Sequence, residues 1–369
     1  LKLNIIKEES KFEISNKLTI KKISINSKRV KKDDVFFAIK GKKIDGNKFV
    51  PEALKKRSSL AIVNRINKSY PLLKQVKVKN TLSFLSKISS KIRENSLGKI
   101  IAITGSCGKT SLKELLGASL NKFSKTMYSQ KSFNNKFGVP ISLFNLNYKD
   151  DFGILEVGMD KKGEINNLTK IIKPDVGVIT NISYAHAKNF KDIKQIALAK
   201  SEIIQNIKYG GSLVLNRDDN FYALHKKIAY KKKIKVYSFG IKSKNANIKL
   251  NNIQQFKKKF KVIVNVNNEN KCFITSSKSE NNIKNILAAV AIISIFKDIK
   301  KLNINIFDNL EVPEGRGDMT KIQIYKKKIF LVDESYNSNP LSLKLAIKNF
   351  DKIKIKNNKK HLILGDMLE

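Results

Sequence analysis

The chain has little of what marks secreted, disulfide-bonded or membrane-embedded proteins. Only two cysteines occur, Cys107 and Cys272, which is no disulfide framework and fits a reducing cytosol. The longest apolar run, Ile286 to Phe296, is far too short to span a bilayer and reads as a core helix, so no membrane insertion is expected. The opening residues, Leu1 to Ile6, are too few and too charged for a secretory signal. No internal repeat is present. Acidic residues are scarce: 31 Asp+Glu stand against 74 Lys+Arg, a formal charge of +43. Such an excess invites a polynucleotide or acidic-membrane partner. The lysines, however, run through nearly every segment alongside abundant Ile and Asn, as an A+T-rich coding bias would produce. They form no aromatic-interleaved stripe, so the charge reads as a diffuse solvated surface with no specific nucleic-acid partner.

What the chain does have is a phosphate-binding loop. Gly105, Ser106, Cys107, Gly108, Lys109, Thr110 and Ser111 follow Thr104 in the short form T-G-x-x-G-K-T; Ile103 stands where the commoner loop has a further glycine. The apolar run from Lys99 to Ile103 reads as a buried parallel strand, and Leu112 to Leu120 as a helix. Strand, glycine loop and helix in that order give the motif its mechanism. The glycines let backbone amides close on a phosphate, and the helix N-terminus adds unsatisfied N–H groups. Lys109 would reach the outer phosphates and the Thr110 hydroxyl a Mg²⁺ ion.

At 369 residues the chain has room for two or three domains. Residues 1–79 alternate short strands and loops. Residues 80–312 carry strands at Ile100–Ile103, Phe152–Val157, Val176–Thr180 and Leu213–Asn216 with helices between, which predicts an α/β fold with a parallel sheet covered on both faces. Ile234 to Thr275 reads as short alternating strands, and Asn281 to Ile299 as a helix. A Pro/Gly cluster at 312–317 suggests a boundary. Beyond it, residues 313–369 begin a second strand–helix–strand unit at Ile329–Val332, Leu341–Phe350 and His361–Leu364.

A phosphate loop needs a metal ligand and groups around the reacting phosphoryl. Glu156 ends a strand, where α/β proteins place ligand groups; it could equally cap the next turn. His186 follows another strand and is either a ligand or a hydrogen-bonded structural residue. Lys200, on a predicted helix, is one lysine among very many. Asp333 and Asn337, after the strand Ile329–Val332, offer groups suited to a ribose or base, or form an asparagine-rich turn. Arg316 between two glycines could fork onto phosphate or be a solvated linker residue.

Taken in order, these segments resemble the Mur ligases of peptidoglycan synthesis along essentially the whole chain. The resemblance rests on Ser27-Lys28-Arg29, Asp34 to Ala38, Asp45-Gly46-Asn47, Thr104 to Ser111, and Asn134-Asn135 with Gly138-Val139-Pro140. It continues through Leu155 to Asp160, Gly163 to Ile165, Pro174 to Val176, Thr180 to Ile182 with Ala185-His186, and Ala199 to Ile203. It ends with Asp333 to Pro340 and Leu364 to Glu369. It implies a three-domain, cytoplasmic and monomeric enzyme with a small N-terminal α/β domain, a central P-loop ATPase domain and a Rossmann-like C-terminal domain. Within the family, the stretches at 134–140, 336–340 and 364–369 favour the type that adds D-alanyl-D-alanine to UDP-N-acetylmuramoyl-tripeptide with ATP, through an acyl phosphate.

On that resemblance Lys109 and the loop amides bind phosphates, and Thr110 and Glu156 hold one Mg²⁺. His186 and a carbamylated Lys200 serve a second metal region. Arg316, Asp333 and Asn337 serve adenosine and phosphates, while Ser27, Arg29, Asn134 and Asn135 bind the UDP-linked substrate. Departures are Lys161-Lys162, where the family often has a histidine or Arg-Pro pair, and Asn47, where a histidine is frequent. The family's third domain continues well past Glu369, so an incomplete C-terminal domain is expected. The alternatives are another amide ligase of the superfamily, such as a folate-directed one, a catalytically incomplete nucleotide-binding fragment, and a polynucleotide-stimulated ATPase.

Overall fold

The computed structural model describes every residue except 42, 185–188, 309–314, 326, 337–339, 352, 354–358 and 367–369. The first elements are helix α1 (Lys2–Ser10), strands β1 (Ile23–Ser24) and β2 (Val35–Phe37), helix α2 (Val50–Lys55), and strands β3 (Leu60–Val63) and β4 (Gln75–Lys77). The strands lie side by side in chain order and all pair parallel. Strand β3, Leu-Ala-Ile-Val, is buried throughout because both faces of this sheet are covered, so it shows no polar alternation. Phe36, Ala61 and Val63 pack on Val50 and Ala53 of α2. The opposite face, with Phe37 and Ile62, shares a core with Phe84, Leu85 and Ile88 of α3 (Thr81–Glu94). Helix α3 starts where Asn80 accepts a hydrogen bond from the Ser83 amide at 2.9 Å, an N-cap.

The central region runs β5 (Lys99–Thr104), α4 (Lys109–Leu120), β6 (Thr126–Tyr128), α5 (Gly138–Asn145), β7 (Phe152–Glu156), α6 (Glu164–Ile172), β8 (Val176–Ile179), α7 (Ile193–Ser201), β9 (Ser212–Asn216), α8 (Tyr222–Lys231) and β10 (Lys235–Gly240). Then come β11 (Ile248–Phe256), β12 (Lys259–Val266), β13 (Glu269–Thr275) and α9 (Glu280–Ile293). All these strands form one sheet in the order β13-β12-β11-β10-β9-β8-β5-β7-β6. From β11 to β6 the pairing is parallel, and β12 and β13 add an antiparallel edge. The four strands read from sequence stand where expected. The region from Ile234 is strand-rich as read: β10 and β11 continue the parallel sheet, and β12 and β13 turn antiparallel.

Helix α9 is polar in its opening turns and apolar from Ile286 to Ile293, which is buried between α4 and the sheet. Each fully buried Ile or Leu there contributes about 1.5–3 kcal/mol. After β5 the chain builds β6 and β7 on one side and returns to place β8 on the other. The carboxyl end of β5 is therefore the switch point where open α/β sheets bind ligands.

The last region departs from its reading. Strands β14 (Asp318–Ile324) and β15 (Lys327–Asp333) form an antiparallel hairpin, followed by α10 (Pro340–Asp351). The strand expected at His361–Leu364 does not form, and Leu362, Ile363 and Leu364 are exposed. An extended run is a strand only with a neighbour to complete its hydrogen bonds, and among the described residues none lies beside this one. Of the expected boundary at 312–317, residues 312–314 lie outside the described residues.

Candidate active site

The loop between β5 and α4 takes the shape its glycines allow. Gly105 has φ 147°, and a Cβ there would overlap the Thr180 side chain; Gly108, at φ 81°, starts α4 from the left-handed region. The segment just after β8 braces the loop. The Ser106 amide donates to the Asn181 carbonyl and the Cys107 amide to Asn181 Oδ1, both at 3.0 Å. Thr180 Oγ1 and Asn181 Nδ2 donate to the Cys107 carbonyl at 2.6 and 3.0 Å. The loop is thus held open as a cradle, and Lys109 Nζ folds back onto the Gly105 carbonyl at 2.8 Å.

Behind Lys109, Thr110 Oγ1 donates to Glu156 Oε2 at 2.7 Å, and Asn134 Nδ2 donates to Glu156 Oε1 at 2.8 Å. Glu156, at the end of β7, is 1% exposed. Two hydroxyl or amide donors leave that buried carboxylate with acceptor capacity and, among the described residues, no ion pair to a cation. Ser132 Oγ lies 3.4 Å from Thr110 Oγ1 and 3.5 Å from Arg316 Nη2, so it joins the phosphate loop to the last region. The Arg316 guanidinium also stacks 4.5 Å from the Tyr336 ring centre.

These groups face a cavity of about 1380 Å³ between the phosphate loop, the segment after β6, the start of α9 and the hairpin with α10. Ser106 to Ser111, Asn134, Asn135, Glu156 and Arg316 all line it. Asn135 spends its Oδ1 on the Phe137 and Gly138 amides at the start of α5, 3.0 Å each. Lys200, on α7, is 2% exposed and does not line the cavity. Burial, reinforced by the nearby Lys109 charge, pushes its amine well below the ordinary lysine range, with Cys107 opposing.

Other expected residues lie elsewhere. Ser27 and Arg29 are not in the cavity wall; Ser27 Oγ donates to Glu52 Oε2 at 2.6 Å in the first sheet region, and Arg29 is exposed. Asp333 is not in the wall either, because its carboxylate turns to the Ser335 amide at 2.9 Å, and bonding to Ser335 lowers its pKa. His186 and Asn337 lie outside the described residues.

Sequence reasoning missed Ser132, Asn282 and Asn285. The two asparagines start α9 and line the cavity, and Asn285 Oδ1 sits over Gly108, 3.6 Å from where a Cβ would stand. The available signal was Ser279, whose hydroxyl accepts from the Asn282 amide as an N-cap, with asparagines three residues apart on one helix face.

Comparison with known proteins supplies the context for this cavity. A family described as "Mur ligase middle domain" matches residues 103–293, and "Mur ligase family, catalytic domain" matches residues 19–93. The chain is 32% identical to the UDP-N-acetylmuramoyl-tripeptide–D-alanyl-D-alanine ligase of Buchnera aphidicola subsp. Baizongia pistaciae, over 98% of this chain and 76% of that protein. The enzyme of the same name from Rickettsia prowazekii is 32% identical over 97% and 78%. A crystal structure of MurF from Acinetobacter baumannii superposes with a TM-score of 0.82 at 27% identity, covering 95% of this chain and 76% of that one. Since the middle-domain match runs through the phosphate loop, Glu156, Lys200 and the start of α9, and the relatives extend it across both flanks, the chain belongs to the Mur ligase family.

Proposed function

We propose that this chain joins D-alanyl-D-alanine to UDP-N-acetylmuramoyl-tripeptide, converting ATP to ADP and phosphate, in cytoplasmic peptidoglycan precursor synthesis. The observation that carries this reading is the Thr110–Glu156–Asn134 cluster at the mouth of the phosphate loop, inside a cavity with room for a nucleotide and a peptide end. The relatives' shared name supplies the substrates and makes a folate-directed ligase the weaker reading.

In this reading the tripeptide's terminal carboxylate oxygen attacks the γ-phosphorus of ATP and ADP leaves, giving an acyl phosphate. The D-alanyl-D-alanine amine adds to the acyl carbon; the tetrahedral adduct loses phosphate and the nitrogen a proton, leaving the amide. The phosphate loop holds the phosphates through the Gly108 and Lys109 amides at the start of α4, the Ser106 and Cys107 amides being bonded to Asn181, and Lys109 exchanges its bond to Gly105 for the outer phosphate oxygens. Arg316, just before the hairpin, adds a second cation, and Asn282 and Asn285 bind the nucleoside side.

Thr110 and Glu156 present hydroxyl and carboxylate oxygens, the hard donors that suit Mg²⁺, so these residues fit the ion the family implies. Bound there, Mg²⁺ would neutralise phosphate charge. The uncharged amine favoured at Lys200 is the form that adds to CO₂, losing a proton to become a carbamate, an oxygen donor in place of a cation. His186 belongs to the same second metal region. Asp333 and Asn337 serve adenosine, and Ser27 and Arg29 the uridine diphosphate end. We assign residues 1–79, 80–312 and 313–369 to three successive domains, acting as a monomer.

The test is ADP release with ATP, Mg²⁺ and matched substrate pairs. UDP-tripeptide with D-alanyl-D-alanine is expected to support turnover, and added polynucleotide to leave it unchanged. Turnover with a folate and glutamate, or only with polynucleotide, overturns the proposal.

A further inference from the structure

We infer that Lys113 is a positioning residue that ties the helix of the phosphate loop to residues 129–137, keeping Ser132 and Asn134 against Thr110 and Glu156; its effect on catalysis rests on the proposed function. Lys113 lies one turn beyond Lys109 on α4 and is 0% exposed. Its ammonium donates to the Lys131 carbonyl and pairs with Glu114 Oε1 at 2.8 Å. A buried ammonium is a costly way to fill space that a leucine would fill, and here it reaches out of its own helix to a loop backbone.

The segment it grips is fixed at both ends by other means. At the start, the Ser129 amide donates to the Ile154 carbonyl at 3.0 Å, and the Glu156 amide donates to Ser129 Oγ at 3.4 Å. At the finish, Asn135 caps α5, and Gly138 sits so close to Phe133 that no side chain fits there. The apex is different. Lys131 has φ 47°, a left-handed conformation unfavourable for a residue with a side chain, and the Lys113 bond is made to that residue's carbonyl. Ser132 follows directly, facing Thr110 and Arg316, and Asn134 completes the bonds to Glu156. One buried lysine therefore sets the apex that brings three cavity elements together.

The experiment measures amide hydrogen exchange over the full chain for wild type, Lys113→Met and Lys113→Arg, with kcat and the KM for ATP alongside. In Lys113→Met, amides of 129–137 are expected to exchange at least tenfold faster while α4 and the central strands keep wild-type rates. Lys113→Arg should fall between, a partial rescue. The kcat should drop tenfold or more in Lys113→Met with the KM for ATP changed less than threefold. Unchanged exchange at 129–137 in both variants overturns the inference, as does protection lost evenly across α4 and the sheet. If Lys113→Met does not fold, Lys113→Arg alone decides by the same criterion. A wild-type chain that makes no pentapeptide would fail the proposed function, while the exchange result would still decide this inference.

Discussion

Glu156 shows how one side chain organises this site. Its two oxygens take separate donors from separate elements, Thr110 on α4 and Asn134 on the segment after β6, and its burial makes each bond matter more than in water. Glu156→Gln preserves size and can still accept from Thr110, but it removes the charge on which the proposed cation site depends. We expect kcat to fall roughly 10²–10³-fold with melting temperature within a few degrees of wild type. Steady-state kinetics and a thermal melt check both; wild-type kcat in the variant would remove Glu156 from the mechanism. Its place at a strand end after a phosphate loop made this residue a candidate in the sequence, with a cap of the next turn as the other reading; only its contacts with Thr110 and Asn134 separate the two. Asp333 had the same strand-end signature, and one of its carboxylate oxygens accepts from the Ser335 amide of its own turn, a contact the sequence does not record.

At the scale of elements, the joint between α6, α7 and α8 positions Lys200. Glu202, just after α7, accepts from the Gly163 and Asn166 amides at 2.7 and 3.0 Å, capping the start of α6. From α8, the buried His225 donates Nε2–H to the Ala197 carbonyl on α7 at 3.0 Å. Burial lowers the His225 pKa, outweighing that carbonyl and Asp219, which favour the cation. The folded state therefore binds this proton less readily than the unfolded chain. Stability from this group is intact above the unfolded histidine pKa of about 6.5 and is lost as pH falls from there toward the lowered folded pKa. His225→Gln, which keeps a donor but does not titrate, is expected to melt with a flatter pH dependence below about 6.5. Equal slopes in melts from pH 7 to 5 would contradict this. Sequence patterning read helices between the central strands, with Lys200 on one of them, but gave no bounds for α6, α7 or α8. It did not locate the hairpin of β14 and β15, because strand pairing is a choice of neighbour and no local residue records it.

For the whole molecule, the excess of positive charge and the phosphate chemistry stand apart. The lysines sit mostly on exposed surface; among the described residues, five cationic side chains line the cavity, Lys109, Lys136, Lys278, Lys284 and Arg316, while Lys200 is buried outside that lining. The broad architecture was readable because strand, loop and helix alternate with buried apolar runs, and the loop motif named the carboxyl end of β5 as the site. The cavity's other wall was readable only at Arg316, singled out between its glycines; Ser132 and Asn282 were not, since they come from segments far apart in the chain and meet only when the sheet is assembled. The claim that joins them is acyl transfer through a phosphorylated carboxylate. The most direct measurement uses UDP-N-acetylmuramoyl-tripeptide carrying ¹⁸O in its terminal carboxylate, with ATP, Mg²⁺ and D-alanyl-D-alanine, and reads both products by mass. The account predicts pentapeptide together with inorganic phosphate carrying one ¹⁸O; ATP consumed with unlabelled phosphate and no pentapeptide would contradict it.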